Sequence, residues 1–200
     1  MNEKKQLLFI HGGQAYSSYE DFLADLAAFE IDPYAARKRW RASLPDDLSG
    51  EFEVFLPEMP NKMNARYEEW RIWFLKYLPF LRNGVYLAGH SLGGCFLAKY
   101  LTEEPFPVRI GRLYLISAPF ERSEGREDGG DFLPDHARLG NLSNIADSIT
   151  LIHAKDDPAV PFTAVQQYSA LLPTARGIFP ESGGHFLAET FPEFLRDLRA

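Results

Sequence analysis

An apolar run that ends in a glycine-flanked serine constrains the fold of this chain more than any other feature. The run from Val85 to Gly89 has the continuous apolarity of a buried strand, and a helix-like pattern begins directly after Ser91. A strand, a tight turn and a helix form the context of a G-x-S-x-G nucleophile elbow, in which glycines such as Gly89 and Gly93 let the chain turn sharply. We therefore predict that Ser91 is a catalytic nucleophile.

Strand-like and helix-like segments alternate along the whole chain. Strands are predicted over residues 7–10, 52–56, 85–89, 110–117, 148–153 and 175–179. Helices are predicted over residues 19–29, 33–41, 65–78, 162–171 and 186–198, and after Ser91. Because repeated β-α-β order implies parallel strands with helices on both faces, we predict a single α/β domain over residues 1–200. The predicted architecture is a three-layer α/β/α sandwich whose mostly parallel sheet has about six strands.

Charge and cysteine content narrow the classes of partner and the compartment. The formal net charge is −7, from 21 basic and 28 acidic residues, which argues against nucleic acid or an anionic membrane as a partner. The polar N-terminus resembles no signal peptide, and no apolar run has the length of a membrane span, so we expect a cytoplasmic protein. Cys95 is the only cysteine, and its position one helical turn after Ser91 predicts a buried thiol and no second nucleophile.

A serine nucleophile requires a base that removes its proton and an acid that orients the base. His185 lies in a glycine-loosened loop and is the only histidine that follows both Ser91 and the candidate acids, as the chain order of such sites requires. The fifth predicted strand is followed by two adjacent carboxylates, Asp156 and Asp157. The residues alone leave the choice between these two aspartates open.

An acyl intermediate also requires hydrogen-bond donors for its oxyanion. One donor is expected to be the backbone N–H of Leu92, the residue after the nucleophile. The other is expected in the loop after the first strand, where Gly13 is the first candidate and Gln14 the second. For the neighbouring Gly12, a tight turn that needs glycine explains the residue equally well.

Four segments together resemble a known superfamily. They are residues 56–60 (LPEMP), 89–94 (GHSLGG), 156–161 (DDPAVP) and 184–186 (GHF), and with them the chain resembles the α/β-hydrolases over essentially its whole length. More narrowly, it resembles the small serine hydrolases that include the retinoblastoma-binding serine hydrolase and its bacterial relatives. The resemblance implies a triad of Ser91, Asp157 and His185, because Asp157 stands three residues before Val160 at the spacing usual for the acid. It leaves Asp156 to hold the turn.

We therefore expect a serine hydrolase that cleaves ester, thioester or amide bonds of small acyl substrates, without a cofactor. Residues 121–142 are expected to form either a small lid or short helices. Acyl transfer to an acceptor other than water would use the same residues. A protein-binding module on a hydrolase scaffold is the alternative from another class, and the sequence does not identify a protein partner. A metal site at His11, His90 and His153 is disfavoured, because no pair has the H-x-x-x-H spacing.

Overall fold

A six-stranded sheet, parallel throughout, forms the centre of the molecule. The computed structural model describes residues 3–34 and 40–200. The strands are β1 (Lys5–Ile10), β2 (Phe52–Phe55), β3 (Val85–His90), β4 (Ile110–Ile116), β5 (Ile149–Ile152) and β6 (Arg176–Ile178). Their order across the sheet is β2-β1-β3-β4-β5-β6. The predicted fold class is confirmed, and each predicted strand has its counterpart.

Helices cover both faces of this sheet, as the β-α-β order predicts. They are α1 (Tyr19–Ala28), α2 (Trp40–Asp47), α3 (Tyr67–Leu75), α4 (Leu92–Glu103), α5 (Leu142–Ile145), α6 (Thr163–Leu171) and α7 (Pro192–Arg199). Short 3₁₀ helices occupy Leu78–Phe80 and His136–Asn141. Within the described residues, no helix combines the length and the apolarity that crossing a membrane would take.

Alternating side chains of the strands divide the core into two layers. Leu8 and Ile10 of β1 pack with α3, α4 and α6 on one face, and Leu7 and Phe9 pack with α2 and α7 on the other. The same alternation runs through β3 and β4, whose strands are buried on both faces. Continuous apolarity in these strands therefore reflects a sheet covered on two sides.

Several helix boundaries differ from those predicted. The closing helix begins at Pro192 rather than at residue 186, because Phe186 has a left-handed backbone (φ 48°) that a helix does not admit and Pro192 suits a first helical turn. The helix predicted over 33–41 is wrong at its start, since Pro33 lies in a turn, and α2 runs through Pro45 to Asp47. Residues 35–39 of that prediction lie outside the described residues.

The long polar segment after β4 contains both loop and helix. Residues 121–135 are irregular, and the 3₁₀ helix and α5 follow directly. Leu139 and Leu142 are fully buried against the α4 side of the sheet, so the second half of the segment belongs to the core. The irregular first half is the part that crosses the carboxyl edge of the sheet.

Candidate active site

Ser91 occupies a strained turn at the carboxyl end of β3. Its backbone has φ 54° and ψ −124°, a conformation that non-glycine residues rarely adopt, and its N–H donates to the Ile116 carbonyl at 2.8 Å. A Cβ on Gly89 would overlap the backbone of Gly93, and a Cβ on Gly93 would overlap the carbonyl of Ile10. Because α4 starts in contact with β1 and β3, the half-buried Ser91 is held at the sheet edge.

Asp157 follows β5 and is hydrogen-bonded on every side. Its carboxylate accepts from the Ser117 hydroxyl at 2.7 Å, from the N–H groups of Ala159 and Val160 at 2.9 and 3.0 Å, and from His185. Burial by itself would raise the pKa of Asp157, but these hydrogen bonds and the charge of His185 lower the pKa to about 2. The carboxylate is therefore ionised at neutral pH without solvent around it.

His185 lies within hydrogen-bond distance of Asp157. Its Nδ1 atom is 2.9 Å from Oδ2 and 3.1 Å from Oδ1 of that carboxylate. The exposed fraction of the side chain is 12% for His185 and 0% for Asp157, so the imidazole reaches the cleft and the acid does not. Within the described part of the chain, the imidazole Nε2 has no hydrogen-bond partner, Ser91 included. That nitrogen is available to accept a proton, and such contacts often close only when substrate binds.

The loop that carries His185 is anchored at three places. The Gly184 N–H donates to Asp156 at 2.8 Å, and the His185 carbonyl accepts from the His90 imidazole at 2.9 Å. On the far side, the Trp40 indole of α2 donates to the Phe186 carbonyl at 2.8 Å. Asp156 therefore holds the loop that carries His185, whereas its predicted role was in the turn after β5, and Asp157 contacts the imidazole.

Sequence reasoning missed the supporting roles of two side chains near Asp157. Ser117 is fully buried with φ 44° and donates to Asp157, and His153 is buried 3.7 Å from the same carboxylate. Burial lowers the pKa of His153, whose Nε2 donates to the Val160 carbonyl at 2.9 Å. Both residues follow a strand of the sheet, and that position at the carboxyl edge was the only signal in the sequence.

The loop after β1 lies beside Ser91. A Cβ on Gly13 would come within 2.8 Å of the Lys62 backbone carbonyl, which leaves no room for a side chain, and one on Gly12 would come tightly within 3.0 Å of the Ser91 Cβ. The Gln14 N–H donates to the Lys62 carbonyl at 2.8 Å, which removes it as an oxyanion donor. Among the described residues, the Gly13 N–H has no hydrogen-bond partner. Leu92 is the first residue of α4, where an N–H has no partner within the helix.

His11 holds this loop in place. Its Nε2 accepts from the Met59 N–H at 2.8 Å, its Nδ1 donates to the Gly12 carbonyl at 2.5 Å, and burial lowers its pKa. The neutral imidazole thus connects the β1 loop to the LPEMP segment after β2. In the described ranges, no group of three or more His, Cys, Asp or Glu side chains is arranged to hold a metal ion.

Two more ionisable groups near the site are the thiol of Cys95 and the carboxyl of Glu127 in the irregular loop. Cys95 is fully buried and donates to the Pro119 carbonyl at 3.0 Å, and burial raises its pKa to about 12, so the thiol is unreactive. Glu127, which no sequence motif marks, is electrostatically coupled to His185. Glu127 is exposed to solvent.

Known proteins resemble this chain along nearly its whole length. A protein of Bacillus subtilis (strain 168) named "Putative hydrolase YdeN" is 26% identical to this chain over 189 residues, which are 92% of this chain and 87% of that protein. The crystal structure of the B. subtilis ydeN gene product superposes with a TM-score of 0.77 at 22% identity, covering 98% of this chain and 97% of that one. No protein-family model matches the chain.

Two solved enzymes share the fold at lower identity. The meta-cleavage product hydrolase of Pseudomonas fluorescens IP01 has a TM-score of 0.66 at 16% identity, over 98% of this chain and 90% of that one. The thioesterase domain from the curacin biosynthetic pathway has a TM-score of 0.64 at 13% identity, over 99% and 92%. Identities this low establish a common fold and no more.

Proposed function

The chain has the fold of the α/β-hydrolase superfamily, and on that premise we propose that it is a serine hydrolase of esters, thioesters or amides with small acyl groups. One observation carries the proposal: a histidine bound through Nδ1 to a buried carboxylate, with Nε2 unpartnered, on the same sheet edge as a strained elbow serine. The similarity to YdeN and the two solved enzymes supports the same class of reaction.

In the proposed mechanism, Ser91 Oγ attacks the acyl carbonyl while His185 Nε2 takes the hydroxyl proton. Asp157 stabilises the imidazolium and does not itself take the proton. The N–H groups of Leu92 and Gly13 donate to the oxyanion. The imidazolium then gives its proton to the leaving group. In the second half, His185 removes a proton from water, whose oxygen attacks the acyl carbon, and the imidazolium returns that proton to Ser91 Oγ as the bond between Oγ and the acyl carbon breaks.

Labelling with a serine-directed fluorophosphonate tests this proposal. Because the reagent phosphonylates only an activated serine, we expect labelling of wild-type protein and none of Ser91→Ala. Ser148→Ala is the matched control, since Ser148 lies before β5 at the opposite edge of the sheet and is expected to keep full labelling. p-Nitrophenyl esters of increasing chain length, with amides alongside, then define the acyl group.

Two results would contradict the proposal. Folded wild-type protein that takes up no label would favour the binding-module alternative, in which the fold is only a scaffold. Equal labelling of wild type and Ser91→Ala would show that another residue reacts.

A further inference from the structure

A cavity of about 400 Å³ lies at the amino edge of the sheet, opposite the carboxyl edge that holds Ser91. The first residues of β1, β3 and β4 line it, together with residues that directly precede β1, β3, β4 and β5. Two of the lining residues are glycines, Gly84 and Gly111, and a Cβ on Gly111 would lie 2.8 Å from the Gly84 carbonyl. The volume is that of a site for a small molecule.

Positive charge dominates the walls of this amino-edge cavity, although the whole chain has a formal net charge of −7. Five lysine and arginine side chains line it, against two carboxylates. A concave surface lined mainly by one sign of charge concentrates ions of the opposite sign. The cavity therefore attracts anions, while the surface of the chain as a whole repels them.

Three of the five cations already have partners. Arg82 pairs with Glu3 at 2.9 Å, and Arg109 pairs with Asp147. The Lys4 ammonium donates to a backbone carbonyl after α2 at 2.5 Å. These contacts neutralise or fix the cations at the rim, so the excess charge belongs to the remaining two.

Lys5 and Arg112 are the two cations without an acidic partner. Among residues 3–34 and 40–200, no carboxylate lies within ion-pair distance of either charged group. The half-buried Arg112 guanidinium donates only to neutral oxygens, the Asp197 carbonyl at 2.8 Å and the Tyr114 hydroxyl at 3.4 Å. The exposed Lys5 contacts aromatic rings, and its ammonium lies 5.5 Å from the centre of the Tyr86 ring.

The side chains of Lys5 and Arg112 contact the same ring from different strands. The Arg112 guanidinium carbon lies 5.1 Å from the centre of the Tyr86 ring, which is nearly buried. Because β1 and β4 lie on either side of β3, the two strands that carry the cations are about 10 Å apart. A diphosphate, with charge at both ends, therefore matches this pair better than a single carboxylate does.

We propose that the amino-edge cavity binds a phosphate-bearing small molecule, with a diphosphate group held between Arg112 and Lys5. Such an anion supplies the counter-charge that both side chains lack, and hydrogen bonds between a guanidinium and a phosphate are charge-assisted. The inference is independent of hydrolysis at Ser91, because no residue of the proposed active site lines this cavity.

Calorimetric titration with inorganic pyrophosphate in metal-free, low-salt buffer tests this site. We expect wild-type protein to bind one pyrophosphate per chain, and Arg112→Gln to bind it about tenfold more weakly, because a charge-assisted hydrogen bond is lost. Lys5→Gln changes an exposed side chain and is also expected to weaken binding severalfold. Circular dichroism verifies that both variants are folded.

A matched variant separates a built site from bulk charge. Arg138→Gln removes an equal charge from an exposed arginine outside the cavity and is expected to keep wild-type affinity. Adenosine diphosphate, titrated in the same way, distinguishes two sources of the diphosphate group. Tighter binding than pyrophosphate assigns the cavity to a nucleotide, and equal or weaker binding assigns it to the inorganic anion.

Three results would overturn the proposal. They are absence of saturable binding by both ligands, affinity that is unchanged in both cavity variants, and equal weakening in Arg138→Gln. Fluorophosphonate labelling of Arg112→Gln should match that of wild type, so a failed anion site leaves the proposed hydrolase function intact. Conversely, wild-type protein that takes up no label overturns the hydrolase function and leaves the titrations interpretable.

Discussion

At the scale of single residues, the two adjacent aspartates after β5 have different environments. Asp157 has a fully buried carboxylate that contacts His185, Ser117 and two backbone N–H groups. Asp156 is exposed and accepts from the Gly184 N–H, at the base of the loop that carries the imidazole. One side chain touches the ring and the other positions the loop, so their substitutions have separable effects.

We expect Asp157→Asn to lower kcat on an activated ester by about 10⁴-fold, because the amide does not stabilise the imidazolium or hold the required tautomer. Asp156→Asn should lower kcat only about tenfold, since an amide oxygen still accepts from Gly184. Steady-state kinetics of both variants, with circular dichroism to verify folding, measure the difference. Equal losses would place the orienting acid elsewhere.

Glu127 illustrates the limit of motif reading at this scale. Ser91, Asp157 and His185 stand in short patterns whose spacing is visible in the chain. Glu127 is one of several acids in a polar loop, and only the bridge to Tyr16 distinguishes it. Contacts between segments more than 100 residues apart leave no local signature in the sequence.

At the scale of elements, the β3–α4 connection permits no side chain at two of its glycines. A Cβ on Gly89 would meet the backbone of Gly93 and Gly94, which has no flexible atom to move aside. The helix start, the strand end and the β1 loop therefore form one rigid unit around Ser91. Backbone contact of this kind makes the position of Ser91 insensitive to side-chain fluctuation.

Gly89→Ala is expected to destabilise the protein by at least about 3 kcal/mol, because the added methyl collides with backbone. Gly50→Ala is the control: no atom lies within 4 Å of its Cβ position, and the free energy of unfolding should change by less than about 1 kcal/mol. Urea unfolding followed by circular dichroism measures both values. A mild effect of Gly89→Ala would mean that the elbow can open.

The apolar residues of helix α1 show that helical spacing does not predict whether a helix face is buried. Phe22, Leu23, Leu26 and Phe29 recur at helical spacing, and Ser18 caps the helix by accepting from the Asp21 N–H. The helix forms as predicted, yet none of its residues is buried. Periodicity determines which side chains share a face, and the rest of the chain determines whether anything covers that face.

At the scale of the whole molecule, the parallel sheet brings distant segments to one edge. The loops after β1, β3, β4 and β5 all meet at the carboxyl ends of the strands, as ligand sites in such sheets require. At this edge, Asp157 is an ionised carboxylate with no solvent around it, and its hydrogen bonds contribute to the stability of the fold. Its depressed pKa links the proposed site to the acid stability of the fold.

Because the pKa of Asp157 falls from 3.8 to about 2 on folding, its ionised form contributes about 2 kcal/mol of stability above pH 4. That contribution is lost as pH falls from about 4 toward 2, when the folded carboxylate takes up its proton. Wild-type protein should therefore lose about 2 kcal/mol more than Asp157→Asn between pH 5 and pH 2. Urea unfolding at both pH values measures this difference, and equal losses would contradict the depressed pKa.

The order of strands and helices, the parallel sheet and the tight turn at Ser91 are predictable from the chain alone, because they follow from local periodicity and backbone sterics. The fold that the α/β-hydrolase resemblance implies is confirmed, and membership of the superfamily and of the narrower group stays a prediction. Which aspartate contacts His185, and which N–H of the β1 loop lacks a partner among the described residues, depend on tertiary packing. Those outcomes depend on contacts between loops of distant sequence position, which only the packed sheet brings together.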